Sequence, residues 1–173
     1  MPRKLIVGVM GPGSGATERD ITIAEELGKR IAEEGWTLLT GGVAEGVMEA
    51  ACKGAKAANG LTIGILPYGD RKRTSEYVDI EILTNMGSGR NYINALSSRV
   101  LVAVGMGAGT ASEVVLGIKA KTPIVLLQTD REELDAACEA FCRELIMEMR
   151  APRTYLKVVT TVEEAIEAIH LVI

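Results

Sequence analysis

The segment Gly105-Met106-Gly107-Ala108-Gly109-Thr110 carries three glycines and ends in a hydroxyl residue, directly after the apolar run Val100-Leu101-Val102-Ala103-Val104. Glycines let backbone N–H groups approach a ligand with no Cβ in the way. A helix starting at Thr110 would add first-turn N–H groups without intrahelical partners and the positive end of its macrodipole, which together make a phosphate site. A blander reading competes with this one: Thr110-Ala111-Ser112-Glu113 has the capping-box pattern, in which Glu113 only reaches back to the cap N–H and the glycines only form a turn. Two further residues could act on a ligand held there. Arg90 offers a planar fork of donors to phosphate or ribose hydroxyls. A Glu113 carboxylate beside a sugar could stabilise an oxocarbenium-like centre or activate water.

Other chemistry is thinly represented. The sole histidine, His170, lies on a C-terminal amphipathic segment far from every glycine loop, which suits a surface or core role. Discounting it removes Ser–His and Cys–His nucleophile pairs and a histidine zinc site, so no metal site is expected. Cys138 and Cys142, four residues apart on one helical face, and Cys52 on a helix of small residues read as core thiols.

The elements that must position these residues follow from hydrophobic periodicity. Strands are expected near 5–10, 37–40, 61–66, 78–83, 100–104, 123–127 and 157–160. Between them run helices: one opened by Thr17 with Ile23, Leu27 and Ile31 on one face and ended at Gly35, one with a small-residue face over 47–58, a short one over 91–98, one from Thr110 to about Lys119, a long one over 130–149 and a terminal one over 162–171. Strands alternating with helices need crossover connections, which specify an α/β, Rossmann-like domain: a mostly parallel sheet of about seven strands with helices on both faces. In such sheets the ligand lies outside the carboxyl ends of the strands, and four loops converge there. The candidate ligand-binding residues are therefore Gly11, Gly13 and Ser14 in the first loop, Gly41, Gly42 and Gly46 in the second, Gly89, Arg90 and Asn91 in the third, and Gly107, Gly109, Thr110 and Glu113 around the fourth. The polar loop 68–76 holds Arg71-Lys72-Arg73, which reads as a solvated face or as a mobile basic flap over an anionic ligand.

Composition bounds the function. The 173 residues suit one domain spanning 1–173, able to bury a core without disulfides or metals. Aromatic residues are 3% of the chain and the net charge is −4, so base-stacking platforms are scarce, no basic stripe exists, and polynucleotide binding is not expected. The apolar run from Leu5 to Met10 ends at Gly11-Pro12, too short for a membrane span or a secretory leader. Three cysteines without framework spacing fit a reducing cytoplasm.

Taken in order, Gly41-Gly42-Val43-Ala44-Glu45-Gly46-Val47-Met48, then Arg90, then Gly107-Ala108-Gly109-Thr110-Ala111-Ser112-Glu113 resemble the superfamily that joins the Lonely Guy (LOG) phosphoribohydrolases and the molybdenum cofactor carrier proteins, over nearly the whole chain. In the hydrolases a PGGxGTxxE loop supplies a phosphate cradle and a catalytic glutamate, and an MHxRK segment a catalytic arginine; the resemblance puts Glu113 and Arg90 at those positions. The chain departs from that pattern at Gly105 and Met106, where the hydrolases have proline and glycine, and at Ser88 and Asn91, where they have histidine and lysine. Gly87-Ser88-Gly89-Arg90-Asn91 instead looks like the GxGRN segment of the carrier branch, as does Ser112-Glu113-Val114 with Lys119 following. The resemblance thus implies a protein that binds a phosphorylated ligand, the molybdenum cofactor or a nucleotide, needs no further cofactor for chemistry, and assembles as a homo-oligomer, dimer or tetramer. The alternative it implies is hydrolysis of nucleoside 5′-monophosphates to base and ribose 5-phosphate, with Arg90 and Glu113 catalytic. A lysine decarboxylase label carried by some relatives finds no support, since no lysine sits in a recognisable pyridoxal-phosphate context.

Overall fold

Val7, Val9, Leu38, Val102 and Val125 are all fully buried, as strands become when helices cover both faces of a sheet. A computed structural model describes residues 4–149 and 155–173. It contains seven strands, β1 (Ile6–Met10), β2 (Thr37–Thr40), β3 (Thr62–Leu66), β4 (Ile80–Leu83), β5 (Val100–Val104), β6 (Ile124–Leu127) and β7 (Leu156–Val159), each within two residues of its expected place. The helices are α1 (Glu18–Glu33), α2 (Gly46–Ala57), α3 (Asn91–Ser97), α4 (Ala108–Ala120), α5 (Glu132–Glu148) and α6 (Val162–His170). The sheet order is β4-β3-β2-β1-β5-β6-β7 and every strand pairing in it is parallel. This is the expected doubly wound α/β architecture.

The order matters for function because the chain winds outward from β1 to β4, then returns to lay β5 against β1 on the other side. Val7 pairs with Val100 and Met10 with Ala103, so the loops after β1 and β5 leave the sheet side by side and in opposite directions of winding. That switch point is where a doubly wound sheet opens a crevice.

Two cores flank the sheet. On one face Val7, Val9, Val102 and Val125 pack under Leu27, Ile31, Ala51 and Ile166 of α1, α2 and α6. On the other, Met10, Leu39, Leu101 and Ile124 pack with Ala95, Val114, Ile118 and Cys142 of α3, α4 and α5. The small face of α2 meets α1. Gly28 and Gly54 sit where a Cβ would overlap the backbone carbonyls of Ala51 and Glu25, so the two helices cross at close range through glycine.

Local chemistry sets the helix starts. Thr17 and Asp20 form a reciprocal capping box: the Asp20 N–H donates to the Thr17 hydroxyl (3.1 Å) and the Thr17 N–H to the Asp20 carboxylate (2.8 Å). The long helix was expected from residue 130 but α5 opens at Glu132. Asp130 has φ +66°, incompatible with a helix, and the Asp135 carboxylate instead gathers the N–H groups of Thr129 and Arg131 (both 3.2 Å).

Candidate functional site

The first wall of the crevice is the loop 11–15 after β1. Gly11 packs against the Val104 carbonyl and Val47, leaving no room for a side chain. Gly46, at φ +55°, lies under the carbonyls of Pro12 and Gly13, and the Val47 N–H donates to Pro12 O (3.1 Å), so the start of α2 props the loop from beneath. Across the switch point, Gly105 turns the chain off β5 at φ +66°, with Asp20 packed against its Cα.

The helix behind this second loop does not begin at Thr110. Its N-cap is Gly107, in extended conformation and without a side-chain cap bond, and the first intrahelical bond runs from the Ala111 N–H to Gly107 O (2.8 Å). The capping-box reading of Thr110 and Glu113 is therefore overturned. Thr110 already lies inside the first helical turn, so its hydroxyl cannot act as a cap, and no bond joins Glu113 to its N–H. The backbone N–H groups of residues 108–110 precede that first bond and open toward the crevice. A Cβ on Gly109 would meet no protein atom within 4 Å.

Glu113 turns instead across to α3. Its Oε1 accepts from the Asn94 amide (2.7 Å) and stands 3.6 Å from Arg90 Nη1. Arg90 ends a short 3-10 turn, Gly87–Arg90, that runs into α3, and its guanidinium packs against Gly41, where any Cβ would overlap it. Both side chains are nearly enclosed, Arg90 11% and Glu113 7% exposed. Burial holds the Glu113 carboxyl above its ordinary value against the opposing Asn94 hydrogen bond and Arg90 charge. Burial likewise lowers Arg90, opposed mainly by the charge of Glu113, and a guanidinium remains a cation at neutral pH. Arg90 Nε and Nη1 and the Thr110 hydroxyl are buried without a hydrogen-bond partner among the described residues. Asn91 braces the cradle: its amide donates to the Ser112 hydroxyl (2.7 Å), which donates to Gly109 O (2.7 Å).

The resulting crevice has a volume of about 310 Å³. It brings together Gly11, Gly13, Ser14, Gly41, Arg90, Asn91, Gly107, Gly109, Thr110 and Glu113 of the sequence candidates. It does not bring in Gly42, Gly46 or Gly89. Gly42 (φ +73°) packs its Cα against Gly64, where a Cβ would come within 2.8 Å, and its carbonyl accepts from Ser75 N–H (2.9 Å). Gly46 is the prop already described, and Gly89 faces Met86. Met10, Pro12, Gly15, Met48 and Ala108 complete the lining, and Asn94 positions Glu113 from behind it. Asn94 was absent from the sequence candidates, although its position one helical turn after Arg90 places the two on one face of α3.

The basic loop divides. Arg71 pairs with Glu81, and Lys72 is 85% exposed beside Asp70, as a solvated face would have it. Arg73 reaches back to Glu45 (3.2 Å) and to the Tyr68 hydroxyl (2.7 Å).

The remaining reactive side chains stand apart. His170 meets Glu34 (3.0 Å) and stacks edge-on against Trp36. Cys52 and Cys142 are buried, which pushes each thiol up to about 11, whereas Cys138, on the same face of α5 as Cys142, is only half-buried. Among the described residues no cluster of three or more His, Cys, Asp or Glu could hold a metal ion, and no helix is long and apolar enough to cross a membrane.

The sequence profile of the SLOG cluster4 family matches residues 4–166. The molybdenum cofactor binding protein of the phototrophic bacterium Rippkaea orientalis has 46% identical residues and a TM-score of 0.85, over 98% of this chain and 97% of that one. The Moco carrier protein of Chlamydomonas reinhardtii has 50% identity and the same TM-score, over 98% of each chain. A cytokinin riboside 5′-monophosphate phosphoribohydrolase of Mycobacterium tuberculosis is 32% identical over 98 residues, which is 54% of this chain and 51% of that protein.

Proposed function

This chain belongs to the SLOG cluster4 family, and we propose that it is a carrier: a protein that holds a phosphorylated small molecule, the molybdenum cofactor in the first instance and a nucleotide in the second, and releases it intact. One observation carries the reading. Arg90 Nε and the Thr110 hydroxyl are buried without a hydrogen-bond partner among the described residues, Arg90 Nη1 has only the 3.6 Å ion pair with Glu113, and both Arg90 and Thr110 line a glycine-lined crevice at the N-terminus of α4. Buried donors left unpaired cost roughly 1–3 kcal/mol each, so a ligand rich in acceptors repays that cost on binding. The phosphate sits on the N–H groups of residues 108–110 and the Thr110 hydroxyl, with Arg90 as its counter-charge. In this reading residues 1–173 act as one ligand-binding unit in the cytoplasm, with no additional cofactor and with neither polynucleotide nor membrane as partner.

The chain also works as a homo-oligomer in this reading. Tyr92 and Leu96 on α3 and Ile80 and Ile82 on β4 are large apolar side chains exposed on one side of the sheet, and a second copy covers them.

The test is loading. Protein mixed with molybdenum cofactor freed from a denatured molybdoenzyme is desalted, then assayed for molybdenum by elemental analysis and for pterin by fluorescence. About one equivalent of each per chain is the expected result, and no retention of either overturns the carrier reading.

The retained Arg90 and Glu113 pair, 3.6 Å apart at the crevice wall, favours a second reading, hydrolysis of nucleoside 5′-monophosphates. Chromatography for released base separates the two, and the carrier reading expects none.

A further inference from the structure

We propose that Arg73 is a specificity residue at the crevice mouth, where it binds a second anionic group that the ligand carries in addition to the phosphate in the cradle. The inference rests on the phosphate reading of the α4 cradle and adds to it the class of ligand selected, a doubly anionic one.

Arg73 is held where such a group would emerge. Its loop is strapped to the loop after β2 by backbone bonds from the Ala44 N–H to Arg73 O (2.8 Å) and from the Ser75 N–H to Gly42 O (2.9 Å), around the isolated bridge of Val43 with Thr74. The backbone is therefore preset, and little ordering cost is left for binding. The guanidinium lies 5.4 Å from the centre of the Tyr68 ring and takes the Tyr68 hydroxyl on one nitrogen and Glu45 on another. Glu45 in turn lies against Gly13, its Oε2 2.9 Å from where a Cβ of that glycine would stand, and Gly13 lines the crevice. Glu45 thus separates Arg73 from the crevice by a single carboxylate.

The exchange is energetically easy. Arg73 is 56% and Glu45 34% exposed, and half-exposed ion pairs of this kind contribute little. A ligand anion can displace the carboxylate and gain the bidentate fork that suits it. The crevice, at about 310 Å³, is at the small end for ligand pockets, and Gly13, against which Glu45 lies, is part of its lining.

The experiment is isothermal titration of wild type, Arg73→Ala and Glu45→Gln with AMP and with adenosine 3′,5′-bisphosphate, each variant first checked for native circular dichroism and melting. Wild type should bind the bisphosphate at least ~10-fold more tightly, the scale of one charge-assisted contact. Arg73→Ala should erase that ratio with AMP affinity unchanged. Glu45→Gln, which frees the guanidinium, should widen it. An Arg73→Ala protein that keeps the wild-type ratio overturns the role of Arg73 and leaves the cradle standing. Absence of binding by either nucleotide, and by inorganic phosphate and pyrophosphate at millimolar concentration, overturns the cradle and this inference together.

Discussion

At the scale of single residues, the crevice is distinguished by how little of it is side chain. A Cβ on Gly109 meets no protein atom, so Gly109→Val can fold, yet its branched side chain projects into the space over the N–H groups of residues 108–110. Charged hydrogen bonds contribute roughly 1.5–3 kcal/mol each, and losing two weakens binding by at least ~100-fold, which titration of the loaded ligand measures against wild type. Glu113→Gln separates the two functions. The amide still pairs with Asn94, so a carrier should lose little affinity, whereas a hydrolase should lose turnover by roughly 100-fold or more, because a carboxylate facing an oxocarbenium-like centre must carry charge. The same variant reports on pH. Burial raises the folded Glu113 pKa above its usual 4.5, so the folded protein holds this proton more tightly than the unfolded chain does. Its contribution to stability is then complete below about pH 4.5 and lost as pH rises through the folded value. Urea unfolding across that range should show Glu113→Gln gaining on wild type as pH increases, and a constant difference would contradict the assignment. The loops that line the crevice were legible because four strand ends converge on one edge whatever the side chains do. Gly42 and Gly46 were not separable from Gly107 and Gly109, because glycine serves chain-on-chain packing and ligand approach equally, and only coordinates tell which body fills the missing Cβ.

The elements show the same limit differently. Hydrophobic period placed every strand, since short aliphatic runs set between glycines, prolines and polar turns have few other readings. It misplaced the start of α4 by two residues, because Thr110 with Glu113 looks like a cap, while Ala108 and Gly109, which actually open the helix after Gly107, carry no start signal. Asn94 was hidden for a related reason: its bond to Glu113 spans two helices, and their relative placement is tertiary. Where α1 crosses α2, the ordinary helix preference inverts. Alanine outranks glycine inside a helix by roughly 0.5–1 kcal/mol, but a Cβ on Gly54 would overlap the Glu25 carbonyl of the neighbouring helix. Gly54→Ala should therefore destabilise, by about 1–3 kcal/mol in denaturant unfolding. Gly15, with no atom within 4 Å of its Cβ position, is the control and should tolerate alanine with little change.

For the whole molecule, the exposed isoleucines of the edge strand set the expectation. Ile80 and Ile82 are each 43% exposed and lie in register with Ile63 and Ile65, while Leu96 on α3 is 54% exposed on the same side. Covering such a surface is the simplest account of its composition. Light scattering at micromolar concentration should give a mass above that of one chain, and Ile82→Lys combined with Leu96→Glu should reduce it to one chain with the crevice affinity unchanged; a monomeric wild type would remove the interface. The pairing of β1 with β5 reaches further, into how the protein is made. Val7 waits for Val100 before it has a neighbour on that side, and the ligand cradle needs Gly107 and Glu113 beyond it. A chain emerging from the ribosome can assemble β1 to β4 with α1 and α2 early, yet it carries an unpaired central edge and half an anion site until its later half arrives. If the chain is the carrier proposed above, its ligand should bind only the finished chain: the crevice is completed by the pairing that joins the two halves, and uptake would wait for that long-range step.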